Sequence, residues 1–76
     1  MLIVNTAKIS PEEFAKKYGY VRSPFFPHYE AYARDNWITV FYKSVSGKYV
    51  FKDENVPIET LYDMIVSGDV IKLERK

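Results

Sequence analysis

Cysteine and glutamine are both absent from this 76-residue chain. Without cysteine there is no disulfide, no thiolate zinc site and no cysteine nucleophile, and the expected setting is cytoplasmic. The missing glutamine, beside 28% charged residues, is the bias of high-temperature adaptation, which thins thermolabile amides and multiplies ion pairs. No apolar run approaches the roughly 18 residues of a membrane span, and residues 1–5 are too short and uncharged for a secretory signal. Neither charge sign is in excess, with 11 Lys and Arg against 10 Asp and Glu, so attraction to nucleic acid has to come from local patches. His28 is the single histidine, and without cysteine or paired carboxylates beside it no metal is expected. The chain also lacks a Gly-rich phosphate loop, a nucleophile and base pair and a carboxylate dyad, so neither catalysis nor a cofactor is expected.

Large aromatic side chains are what the chain has in quantity: seven Tyr, five Phe and one Trp. A chain of this length makes one domain, 1–76, and buries only about 60% of the surface its unfolded form exposes, so aromatics supply the area a short core needs. The densest β-forming stretch runs from Trp37 to Phe51. Trp37, Ile38, Thr39, Val40, Phe41 and Tyr42 are β-branched or aromatic, and Tyr49, Val50 and Phe51 resume that composition after Ser44, Ser46 and Gly47. The pattern predicts a β-hairpin turning near Ser46 and Gly47. A loop of two or four residues would put Ile38, Val40, Tyr42, Tyr49 and Phe51 on a core face and Trp37, Phe41 and Val50 on an outer face with Lys43, Lys48 and Lys52.

The remaining elements follow from local signals. Residues 1–4 read as a buried strand. Ser10, Pro11 and Glu13 form a capping box with proline at the first helical position, and Gly19 is placed to end that helix. Glu12 with Lys16, and Glu13 with Lys17, are spaced as surface ion pairs. Residues 20–27 read as an ordered loop held by Phe25 or Phe26, and residues 28–36 as a short second helix with Tyr29, Tyr32 and Ala33 on one side. Asp53, Glu54 and Asn55 form a turn with Asn55 as candidate cap. Ile58, Leu61, Tyr62, Ile65 and Val66 then repeat as an amphipathic helix expected to face the sheet, Gly68 ends it, and residues 70–74 read as a last strand. The order is β-α-(α)-β-β-α-β. It predicts a small α+β sandwich around a central antiparallel hairpin, with a ferredoxin-like split β-α-β unit and a winged-helix-like arrangement as the two candidate topologies.

Residues 13–28 resemble a helix-turn-helix in the placing of Ala15, Tyr18, Gly19, Val21 and Phe25. Pro24 and Pro27 depart from that pattern, because they would break the base-reading helix. Two kinds of binding module remain. In the first, Lys43, Lys48 and Lys52 with Trp37, joined by Lys16, Lys17 and Arg22, contact nucleic acid through phosphate pairing and stacking, in a DNA-binding or transcription-regulating role. In the second, Tyr20, Phe25, Phe26, Tyr29 and Tyr32 form an aromatic surface for a protein partner, since tyrosine and tryptophan dominate interface hot spots. No membrane partner is expected.

Overall fold

Ser10 accepts a hydrogen bond from the Glu13 amide at 3.1 Å, and Pro11 follows it at the start of helix α1, Pro11–Tyr18. Gly19 closes α1 in the left-handed conformation at φ +81°, a geometry that only glycine adopts without steric cost. The capping signal in the sequence therefore marks both ends of this helix. The computed structural model describes residues 1–23, 30–36, 38–52 and 56–73. Around α1 it places strands β1 (Leu2–Val4), β2 (Val21–Arg22), β3 (Ala31–Arg34), β4 (Thr39–Lys43), β5 (Tyr49–Phe51) and β6 (Val70–Lys72), with helix α2 (Ile58–Ser67). The mixed α+β class and the central hairpin are as the sequence predicts.

All six strands join one antiparallel sheet in the order β2-β3-β4-β5-β1-β6. Because every neighbour is antiparallel, β5 and β6 run the same way with β1 between them, and α2 is the crossover that links them. In the same way α1 carries the chain from β1 to β2 at the far edge. Strands β4-β5-β1-β6, with α2 crossing from β5 to β6 around β1, have the strand order of the ferredoxin-like split β-α-β arrangement, which β3 and β2 extend at one edge; the winged-helix-like arrangement is not formed among the described residues.

Residues 28–36 do not form a helix in their described part. Ala31–Arg34 is a strand that pairs with both β2 and β4, so ladder formation overrides the helical preference of its alanines. Asp35 and Asn36 then turn the chain at positive φ, which these side chains tolerate. The loop of residues 24–29, with Phe25, Phe26, His28 and Tyr29, lies outside the described residues, as do Trp37 and the turn at Asp53, Glu54 and Asn55.

The hairpin exists with Tyr49 and Phe51 on the core face as expected, but the face of its first strand is the reverse of that expected. Ser44 donates to Lys48 and Gly47 donates back to Ser44, which makes a three-residue loop with Gly47 at φ +90°. An odd loop shifts parity by one. Phe41 stands opposite Phe51, Tyr42 opposite Val50, and Lys43 opposite Tyr49. Phe41 and Phe51 thus share the helix-facing side, and Ile38 is exposed. Val40 and Val50 belong to the reverse side together with Ile3 and Ala33, and these are buried as well. Strands buried on both faces carry continuous apolar runs, so their composition does not encode which side faces the helices.

Phe14 is the centre of the helix-side core, packed edge-on against Phe41 at 5.3 Å between ring centroids. Tyr32 stacks on the same Phe41 ring at 4.9 Å, and Tyr20 meets it at 5.0 Å. Tyr20 and Tyr32, expected at an interaction surface, are interior. In so short a chain they serve as core volume.

Candidate interaction site

At 3.6 residues per turn, Ile58, Tyr62, Ile65 and Val66 fall within about a 100° arc of α2. The amphipathic pattern predicts that this arc faces the sheet, yet these residues are 81%, 66%, 48% and 67% exposed. The helix instead docks through Met64, which is fully buried, with Leu61 packed partly against the core. The two ends of the helix are held differently. Pro57 begins the helix without a side-chain cap, and at the other end Gly68 and Asp69 donate to the carbonyls of Ile65 and Met64 while tying the chain into β6. What remains outside is an apolar stripe on the order of several hundred Å², the size at which surface patches become interaction sites.

An acidic edge borders the stripe. Glu59 and Asp63 are spaced one turn apart, both exposed, on the flank next to Val66. No ion pair compensates either carboxylate among the described residues, and residues 58–67 contain no lysine or arginine. Beyond this edge lies an open hollow of about 590 Å³ between α1 and α2, lined by Lys17, Tyr18, Arg34, Thr60, Asp63, Val66 and Ser67.

The wall of that hollow is held by a buried carboxylate. Asp69, at 0% exposure, accepts from Lys8 and Lys17 at 2.7 Å each, from the Tyr18 hydroxyl at 2.6 Å and from the Ser67 hydroxyl at 2.9 Å. Burial alone would favour the neutral acid, but the bonds from Lys17, Lys8, Tyr18 and Ser67 outweigh it and hold Asp69 well below the usual carboxylate range. The same contacts raise Lys17 above its ordinary value, chiefly through its bond to Asp69, while Tyr18 is raised by burial and then by that carboxylate. A saturated carboxylate, a stabilised ammonium and a stabilised phenol are neither base nor nucleophile. The cluster joins the segment after β1, α1, the end of α2 and the start of β6, so it is a structural tie. Lys17 was expected to pair with Glu13 on the surface of α1 but is drawn to Asp69.

The expected phosphate-binding residues are dispersed. Lys43 is turned to the Tyr49 side of the sheet and lies 3.6 Å from Glu30, whose carboxyl is lowered first by the Tyr49 hydroxyl bond and also by this lysine. Lys17 is engaged with Asp69. Lys16 and Arg22 line a separate hollow with Glu12, Tyr20 and Tyr32, where the Arg22 guanidinium lies over the Tyr32 ring at 5.8 Å. Lys48 is exposed at the hairpin turn and Lys52 is exposed just beyond β5. Among the described residues, no group of three His, Asp or Glu could hold a metal ion, and no helix is long and apolar enough to cross a membrane.

Sequence periodicity finds the residues of the α2 stripe but not the side on which they lie. Asp69 has no local signal at all: its lysine and tyrosine partners stand 51 to 61 positions away. No protein-family model, curated protein or solved structure matches this chain.

Proposed function

We propose that this chain is a non-enzymatic protein-binding module whose partner docks on the outer face of α2. The observation that carries this reading is the exposure of Ile58, Tyr62, Ile65 and Val66 on one arc of a helix whose opposite arc is anchored in the core. Leaving such a stripe in water forgoes about 25 cal/mol for each Å² that burial would remove, a cost that a partner recovers. The interaction reading thus moves from Tyr20 and Tyr32, which are interior, to α2. Support for the nucleic-acid reading is thinner, because Lys17 and Lys43 are already paired with carboxylates and, among the described residues, no cation pairs with the two acids of the α2 face.

A photo-crosslinking residue at position 62 tests the proposal in extract of the source cells, with position 48 at the hairpin turn as the control. A discrete protein adduct formed from position 62 and absent from position 48 is expected. Equal labelling from both positions, or none from position 62, would remove the α2 face from consideration.

A further inference from the structure

We infer that the occupant of the α2 face is an amphipathic helix of another protein whose apolar stripe is edged by lysine or arginine. The inference rests on the docking reading above and adds the chemistry of the partner. Ten residues of helix present a ridge about 15 Å long, which a second helix can match by packing its own ridges into the grooves between Ile58, Tyr62, Ile65 and Val66. The charge on that ridge then selects the partner. Glu59 and Asp63 run along one edge of the stripe, and residues 58–67 supply no cation.

The nearest positive groups across the hollow are already engaged. Lys17 bonds Asp69, while Arg34 donates to the Tyr18 carbonyl at 2.7 Å and to Asp35 at 3.1 Å. A partner with Lys or Arg one turn apart on its edge would meet both open carboxylates as it buries the stripe. Phosphate-bearing surfaces, whether nucleic acid or anionic lipid, would meet those carboxylates with like charge. A second copy of this chain fares little better. Antiparallel pairing of two α2 helices sets acidic edge against acidic edge, and parallel pairing sets it against the Leu61 flank, which carries no charge. The stripe is smaller than the roughly 800 Å² per partner of a standard interface, so the expected affinity is micromolar.

Three synthetic peptides of about 18 residues, long enough to hold helical structure, test this inference. They share one Leu and Ile stripe and differ only in edge residues, which are Lys, Gln or Glu. Fluorescence anisotropy at about 50 mM salt should show the Lys peptide binding about tenfold more tightly than the Glu peptide, as expected from two surface pairs changed from attractive to repulsive. The gap should shrink at about 0.5 M salt, and E59K/D63K should reverse the order. Equal binding of all three peptides, abolished by I58S/Y62S/V66S, would keep the docking face and overturn the basic partner. Absence of binding by every peptide would overturn both readings. Sedimentation equilibrium supplies the remaining arm: a dimer at tens of micromolar that I58S/Y62S/V66S dissolves would identify a second copy as the occupant and overturn the inference.

Discussion

Helix α1 carries four charges in eight residues and buries Phe14 and Ala15 almost completely, whereas α2 carries two charges in ten residues and buries only Met64. The more polar helix is the better integrated one. Phe14 is placed over Phe41 and Phe51, Ala15 joins the same buried cluster, and the polar side of the helix reaches Asp69 through Lys17 and Tyr18. In α2 the apolar residues outnumber what the sheet accepts, and the surplus points outward. Apolar content therefore measures how much surface a helix can bury, while anchoring at its ends decides which surface the fold takes. The surplus is the part left for another molecule.

Removing the anchor of α1 should have the largest effect. Phe14→Ala deletes a fully buried ring at the centre of the aromatic cluster and should cost about 3–5 kcal/mol, a large share of what so small a domain possesses. Chemical denaturation would measure it. A midpoint close to wild type would mean that α1 is not the better integrated helix, and the contrast with α2 would fail.

Asp69→Asn tests the tie between the two helices. Loss of its charge weakens bonds from both lysines, the Tyr18 hydroxyl and the Ser67 hydroxyl, and should destabilise by about 2–4 kcal/mol, since the lysines are half exposed and regain water. The folded-state pKa lies below the ordinary 3.8, so this contribution is complete above about pH 5 and is lost as the pH falls. Wild-type stability should decline between about pH 5 and pH 2, and Asp69→Asn should flatten that decline. An unchanged acid slope would show that Asp69 is not the tie.

Much of the architecture is legible in the chain because its signals are local. Ser10, Pro11, Glu13 and Gly19 delimit α1, Gly68 ends α2, and the β-rich flanks of Ser44 to Gly47 mark the hairpin. What is not legible depends on parity or distance. One residue in the loop between Lys43 and Tyr49 decides whether Phe41 faces the helices, and the sequence admits both loop lengths. Ala31, Tyr32 and Ala33 suit a helix until β4 offers them a ladder. The α2 stripe has the period of a core face, and period alone does not say whether the core or a partner occupies it.

A smaller effect sharpens the contrast at the helix starts. Ser10→Ala removes the acceptor of the Glu13 amide and should cost about 1 kcal/mol, whereas α2 begins at Pro57 with no side-chain cap to lose. Hydrogen exchange should then show faster opening confined to the first turn of α1. Equal acceleration in α2 would mean that the helices open as one unit.

The central claim, that Ile58, Tyr62 and Val66 lie outside the core, is tested most directly by equilibrium unfolding of I58S/Y62S/V66S. Serine has nearly the helix propensity of the residues it replaces, so the substitution reports burial and little else. Unfolding free energy within about 0.5 kcal/mol of wild type, with an unchanged dependence on denaturant, is the predicted result. A loss of about 2 kcal/mol or more would place these side chains in the core and contradict the account.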